Sequence, residues 1–396
     1  MQVDLFSRTL QSLNVQQENN EGCHISLEKN LNNLKTIDKA QAELSKIDKQ
    51  IALLDKQPAS VETLAMLAAH QREVVLAMVS RNPEMAIAAL LAQSIEMYGE
   101  RLAEIQAWTN GGADMFDAAM SEMFDSLVAS GSTDGYTLED LFQLAVMDFM
   151  SHEYSSGGAM DSVMAHFLES TGSGSHAYHE GWDGNKFANE CGALFDHMLR
   201  NAPNGSLCHD ILTYMDSQCG GKNALSNQFR NNYDNAGGFV CDSDRYPSGS
   251  GLSPMLRFAL MSGYLAANPN VDQATIKKFL TMPIEDLNSL IDDTTDWTSA
   301  MDFLFANDGY PEEDWAGPQG WRPVDQQGHK VIDWNGIGLS LPYFEKLYAN
   351  FPARELTKEE LTEVNNIGDK VRMIQETLKY WLSILRDQGL AVARNI

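Results

Sequence analysis

One stretch of the sequence concentrates residues that could bind a metal: SHAYHEGWD, residues 175–183. Imidazole and carboxylate groups are common ligands of divalent metals, and similar residues lie upstream. The residues concerned are His152, Glu153, His166, His176, His179, Glu180 and Asp183. The stretch has no His-Glu-x-x-His pattern, and the glycines and serines around it are typical of a loop. We therefore expect a solvated or locally hydrogen-bonded loop in which His176, His179 and Glu180 have no core role.

Two other short patterns contain reactive or ligating groups. Cys191-Gly192, with histidines elsewhere in the chain, could supply a cysteine nucleophile, but a single Cys-Gly pair is weak support. The run Cys-Asp-Ser-Asp at 241–244 resembles part of a calcium loop without that loop's glycine and final glutamate. The sequence contains no Walker, dinucleotide-binding or nucleophile-elbow pattern. It thus predicts a protein without enzymatic activity, metal or cofactor.

The five cysteines leave three arrangements open. Cys23 stands apart from the others, and the gaps between Cys191, Cys208, Cys219 and Cys241 are too wide and irregular for a Cys-x-x-Cys zinc site. These four residues can be free thiols, can form one or two disulfides, or can hold a structural metal. Because the cytosol is reducing, a disulfide would form only outside the cell.

The charge distribution excludes several classes of partner. The net charge is −27, and residues 110–340 hold 33 acidic and 10 basic residues, a net charge of −23. Such a surface repels phosphate backbones, so the sequence argues against nucleic-acid binding and against docking on anionic membranes. No apolar run reaches the ~18 residues of a membrane span. The N-terminal residues lack the features of a Sec signal peptide, so we expect either a cytoplasmic protein or a Sec-independent export route.

The elements that would position these residues are mostly helical. Residues 1–24 are rich in Gln, Asn and Ser, which predicts a flexible segment. The apolar spacing that follows predicts a helical hairpin over 25–80. Over 110–350, short helical patterns alternate with Gly- and Ser-rich loops, which indicates an acidic globular domain. Within it, Thr137 with Asp140 resembles a capping box, and the run HKVIDWNGIGLSLPYF has mild strand character near its start.

Two segments have the apolar spacing of a coiled coil. In 81–109 the apolar residues step by 4, 3, 4 and 3, and in 351–396 they step by 4, 3, 4, 3 and 4. The first set is Leu91, Ile95, Tyr98, Leu102 and Ile105, and the second is Ile367, Val371, Ile374, Leu378, Trp381 and Leu385. Each set could simply face the core of one domain. Because the two have similar length, we favour their pairing as a stalk, parallel or antiparallel, with the acidic domain inserted between them.

The residues 356–396, LTKEELTEVNNIGDKVRMIQETLKYWLSILRDQGLAVARNI, complete this arrangement. A short LTKEEL turn leads into a long amphipathic helix, after helical N-terminal segments and a variable middle. The arrangement resembles the hydrophilic translocators, or needle-tip proteins, of bacterial type III secretion systems. The ending RDQGLAVARNI is also similar to that of the type III needle subunits, in which an Asp, a small residue and an Asn recur at helical spacing.

The resemblance implies both a fold and a function. The fold is mainly α: a long coiled-coil stalk, an N-terminal helical hairpin and an inserted, mostly helical globular domain with a minor β component. The function is that of a secreted, non-enzymatic homo-oligomer that caps the needle at the bacterial surface. Its partners are the needle subunit and the hydrophobic pore-forming translocators. Two alternatives stay open: a type III effector or secreted hydrolase with a site in the acidic middle, and a chaperone-like protein without a secretion role.

The final turns of the chain extend beyond the regular seam. The seam breaks at Gln388 and Gly389, and apolar residues continue at Leu390, Val392 and Ile396. One interpretation is that these residues fold back onto the stalk. The other, which we favour, is that they contact the needle or a neighbouring subunit, since an exposed apolar edge commonly marks a contact.

Overall fold

The computed structural model of this chain describes residues 35, 40, 42, 61–79, 85–176, 181–235, 251–308, 320–326, 329–335 and 337–394. These residues are mainly helical, as the sequence predicts, and the strands among them form one two-stranded sheet. The earlier helices are α1 (Val61–Val79), α2 (Met85–Ala107), α3 (Gly112–Ser130), α4 (Gly135–His152), α5 (Asp161–Ser170), α6 (Gly184–Asn201), α7 (Leu207–Gln218) and α8 (Gly221–Asn232). After a 3-10 turn at Tyr233–Asn235 come α9 (Pro254–Ala267), α10 (Gln273–Thr281), α11 (Ile284–Thr294), α12 (Ala300–Asp308), α13 (Leu341–Ala349) and α14 (Lys358–Arg394).

Contacts divide the chain into two compact units. The first comprises Met1–Glu104 and Thr362–Ile396, and the second comprises Ile105–Leu361. The first unit is therefore assembled from two segments that are far apart in sequence. The second unit is one continuous segment, and it contains most of the acidic residues.

Helix α4 is the central element of the second unit. Every residue from Thr137 to Phe149 is buried, which is typical of a helix surrounded by core on all sides. This burial removes five polar side chains of α4 from water: Thr137, Glu139, Asp140, Gln143 and Asp148. Each of them must find a hydrogen-bond partner inside the unit, because an unpaired buried polar group is costly.

Side-chain caps begin many of the described helices. Asp134, Asp183, Ser206, Ser253, Asp272 and Ser340 each accept a bond from the backbone N–H three residues later. The predicted capping box of Thr137 and Asp140 is wrong, because α4 starts earlier and Asp134 accepts from Thr137 N at 3.0 Å. A reciprocal box does begin α14: Thr357 N donates to Glu360 Oε2 at 2.9 Å, and Glu360 N donates to Thr357 Oγ1 at 3.2 Å.

The strand character of HKVIDW is confirmed. This run forms β2 (His329–Trp334), which pairs antiparallel with β1 (Trp321–Gln326). The strand β1 was not predicted from the sequence, because Pro323 argues against a strand. The register places Trp321 opposite Trp334, and their buried rings meet edge to face at 5.2 Å. The hairpin therefore contributes two large aromatic side chains to the core of the second unit.

Candidate functional site

In the first unit, α14 contacts both α1 and α2. Arg101 of α2 binds Glu363 through two bonds of 2.8 and 2.9 Å, and the Lys370 ammonium lies 5.3 Å from the Tyr98 ring centroid. As the residue number rises on α2, its partner's number falls on α14, so these two helices run antiparallel.

A buried amide pair joins α14 to α1. Gln71 Nε2 donates to Val371 O at 2.9 Å and to Gln375 Oε1 at 3.1 Å, and both glutamines are at most 1 % exposed. A buried polar pair of this kind fixes the register of packed helices, because any sliding would leave amide groups unpaired. The apolar seams did not reveal this pair, because only apolar residues define a seam.

The predicted seam residues are buried to different extents. Most of them are at most 5 % exposed: Ile95, Leu102, Ile105, Ile367, Val371, Ile374 and Leu378. Leu91 and Tyr98 are partly buried. Trp381 is also only partly buried, and Leu382, which is 2 % exposed, lies on the buried side of α14. The side chain of Leu385 lies outside the described part of the structure.

The opposite side of α14 carries exposed apolar side chains. Met373 is 63 % exposed and Tyr380 is 65 % exposed, and their spacing of seven residues places them on one side of the helix. Leu390 is 37 % exposed, and the helix continues through Gly389 to Arg394 rather than ending at the seam break. The side chain of Val392 and all of Ile396 lie outside the described residues.

Arg354 bonds to residues near both ends of the continuous segment that forms the second unit. Its guanidinium donates to Trp108 O at 2.6 Å and to both oxygens of Glu360 at 2.6 and 2.7 Å. Beside it, Gly112 N donates to Phe351 O at 2.7 Å. The Arg354 side chain is fully buried, so this charge depends on the Glu360 carboxylate and on the carbonyls around it.

His176 is buried, and the prediction of a solvated or locally bonded loop without a core role is wrong for this residue. It is 1 % exposed, and its Nε2 lies 2.8 Å from Glu139 Oε2 on α4. The rings of Tyr136 and Tyr233 flank it at 5.0 and 4.6 Å. Glycines and serines make this segment a loop, but its histidine satisfies a buried carboxylate of the central helix. His179 and Glu180 lie outside the described residues.

The remaining oxygens of the buried carboxylates accept bonds from the same loop and from α8. Glu139 also accepts from Gly172 N at 3.0 Å and from Gln228 Nε2 at 3.0 Å. Asp140 accepts from Ser173 N at 2.7 Å and from Ser173 Oγ at 2.6 Å. Gly172 has a φ of 89°, and a Cβ there would lie 2.8 Å from Asp140 Oδ1. A glycine is therefore required for the loop to approach α4 this closely.

The other chemical candidates have structural roles. Asp183 caps α6, accepting from Lys186 N at 2.8 Å. His166, 1 % exposed, stacks on the Trp182 ring at 4.2 Å, and its Nδ1 is 3.6 Å from Glu169 Oε2. In the described part of the chain, no group of three or more His, Cys, Asp or Glu side chains is placed to hold a metal ion.

The described cysteines are free and buried. They are Cys191, Cys208 and Cys219. Burial raises the pKa of the Cys191 thiol to about 11, and burial together with Asp148 raises the pKa of Cys208. A buried thiol of high pKa is a poor nucleophile, which argues against Cys191 as a nucleophile. Cys23 and Cys241 lie outside the described residues, as does the rest of the run at 241–244.

Comparisons with protein families, with curated proteins and with solved structures found no match to this chain. Among the described helices, none combines the length and the hydropathy that a membrane crossing requires.

Proposed function

We propose that this chain is a secreted, non-enzymatic needle-tip protein, or hydrophilic translocator, of a bacterial type III secretion system. It caps the needle at the cell surface as a homo-oligomer and supports assembly of the translocation pore. Its partners are the needle subunit and the hydrophobic pore-forming translocators, and it leaves the cell by a Sec-independent route. The coiled-coil pairing of α2 with α14 and the insertion of an acidic domain between them are parts of this proposal.

The observation that carries the proposal is the two-sided character of α14. This helix has 37 residues, and its buried side packs within the first unit through residues such as Val371 and Leu378. Its other side keeps Met373 and Tyr380 more than 60 % exposed. Large apolar side chains in water on a long, rigid helix support a role in subunit contact.

The second unit supports a structural role in the same assembly. Its buried carboxylates Glu139 and Asp140 are committed to backbone and side-chain donors inside the unit. These pairs stabilise one packing of the loop at 171–176 on α4. The acidic surface keeps the unit apart from nucleic acids and anionic lipids.

Two matched substitutions test the proposal in a strain that lacks the native gene. Leu390 is 37 % exposed on α14 and Leu199 is 36 % exposed on α6, so Leu390→Asp and Leu199→Asp introduce the same charge at equally exposed positions. We expect both variants to fold and to appear in the medium only when the type III apparatus is intact. Leu390→Asp should abolish delivery of effectors into host cells, while Leu199→Asp should retain it. Secretion without the apparatus, or full delivery by Leu390→Asp, would contradict the proposal.

A further inference from the structure

Three helices of the second unit meet at one histidine. His152 is the last residue of α4. Its Nε2 lies 3.2 Å from Asp117 Oδ2 on α3 and 3.1 Å from the Tyr348 hydroxyl on α13. Its Nδ1 lies 3.1 Å from the backbone oxygen of Asp148 and 3.1 Å from Asp148 Oδ1. One side chain thus bridges three separate elements.

Both ring nitrogens of His152 face carboxylate or carbonyl oxygens. A neutral imidazole can donate from only one nitrogen, whereas an imidazolium donates from both. The contacts to Asp117 and Asp148 are therefore all satisfied only when the ring is protonated. The position at the C-terminus of α4 also favours a cation. Burial lowers the pKa of His152, but Asp117 and Asp148 raise it by more, so the net shift is upward from 6.5.

The groups around His152 are mostly acidic. Asp148 is anchored on its other side, where Oδ2 accepts from Cys208 N of α7 at 2.7 Å. The Tyr348 hydroxyl also lies 3.4 Å from Asp117 Oδ2, and its ring packs edge to face on Phe116 at 5.4 Å. The titratable groups near the ring are Asp114 and Asp117 from α3, Asp148 and Glu153 from the α4 end, Cys208 from α7 and Tyr348 from α13.

We propose that His152 is a proton-operated joint between α3, α4 and α13. In the protonated ring, Nδ1–H donates to Asp148 and Nε2–H donates to Asp117, which ties α3 to the end of α4. The Tyr348 hydroxyl then donates to Asp117 and brings α13 into the same cluster. When the ring loses its proton from Nε2, a lone pair faces the Asp117 carboxylate, and the attraction between α3 and α4 is lost.

The pKa directions define the pH range of this joint. A histidine whose pKa is raised in the folded state stabilises that state fully at pH values below the pKa that the histidine has in the unfolded chain. This contribution is lost as the pH rises through the pKa of the folded state. The upper edge of the range therefore lies above 6.5. Burial raises the pKa of Asp117 above 3.8 despite the nearby histidine, so the lower edge is where that carboxylate takes up a proton. Mildly acidic solution therefore strengthens the contact between α3 and the end of α4, and alkaline solution weakens it.

Hydrogen exchange of the full-length protein at pH 6 and pH 8 tests the joint. After correction for the intrinsic pH dependence of exchange, we expect titration of His152 to make peptides from α3 about two- to fivefold more protected at pH 6 than at pH 8, the range that an exposed ion pair supplies. His152→Gln removes the titrating group and should abolish this difference. The matched control is His209→Gln, since His209 also lies beside an aspartate, 3.8 Å from Asp210 Oδ1, and it should keep the difference.

Two further variants make the test decisive. Asp117→Asn removes the negative charge, and its amide can accept from the protonated ring or donate to the neutral one. It should therefore abolish the difference even if His152→Gln fails to fold. Tyr348→Phe should retain the part carried by His152 and Asp117. Asp140 titrates in the same protein and contributes to the difference between pH 6 and pH 8 in every variant, so the contribution of His152 is the part of the wild-type difference that a variant removes. The joint is refuted if the wild type shows no difference between the two pH values. It is equally refuted if Asp117→Asn keeps the whole wild-type difference or if His209→Gln loses part of it.

Discussion

Replacing Asp140 by asparagine should stabilise the protein at pH 8. Asp140 is 8 % exposed on the central helix α4, and burial raises the pKa of its carboxyl to about 7, although Ser173 and Arg257 act in the opposite direction. Asparagine has nearly the same shape. Its Oδ1 can accept from Ser173 N, and its Nδ2 can donate to Ser173 Oγ, so both contacts of the loop survive the substitution.

The magnitude follows from the difference in pKa between the folded and unfolded states. The carboxyl has a pKa of about 7 in the folded state against 3.8 in the unfolded chain. Since a tenfold difference in proton affinity is worth about 1.4 kcal/mol, this difference amounts to about 4 kcal/mol. The folded state holds a proton that the unfolded state releases, so the free energy of unfolding falls by at most about 4 kcal/mol as the pH rises from 4 to 8. Asp140→Asn removes this loss, and each kcal/mol is worth about 2–4 °C in Tm for a domain of this size.

The assay is denaturant unfolding at several pH values between 4 and 8. We expect the curve of Asp140→Asn to be flatter than that of the wild type and to lie above it at pH 8. Asp125→Asn is the control, because Asp125 is exposed on α3 and its substitution changes the net charge equally. If the wild type and Asp140→Asn lose stability in parallel as the pH rises, the carboxyl of Asp140 does not titrate as we argue.

Two further substitutions test the packing of each unit. Leu378→Ala should lower the free energy of unfolding by about 2–5 kcal/mol, since Leu378 is fully buried in the first unit. Its control, Tyr380→Ala on the exposed side of α14, should change that free energy by less than about 0.5 kcal/mol. Equal losses in the two variants would refute the assigned sides of the helix. Arg354→Ala should cost about 3–5 kcal/mol, because it leaves the Glu360 carboxylate without its main partner. Thermal or denaturant unfolding measures this loss. The control is Lys222→Ala, which removes an ion pair whose two side chains are both 42 % exposed. It should cost at most about 1 kcal/mol.

The sequence by itself was sufficient for the helical class and for much of the helix layout. Apolar residues that recur every three or four positions face one side of a helix whatever surrounds it, so the buried side of α14 was predictable at Val371 and Leu378. The box of Thr357 and Glu360 involves neighbours in sequence, so the LTKEEL turn marked the start of the helix. The strand β2 was also visible, because its alternation is local.

The polar contacts depended on the tertiary structure. His176 lies in a Gly- and Ser-rich loop, and only the packing of that loop on α4 shows that it pairs with Glu139 rather than facing water. Gln71 and Arg354 each donate to a carbonyl on a segment 246 or more positions away, Gln71 to Val371 O and Arg354 to Trp108 O. A hydrogen bond between distant segments leaves no periodic signal in the sequence, because one donor and one acceptor satisfy it. Periodicity reports which side of an element is buried, while the identity of the partner across the core is decided only when the elements pack.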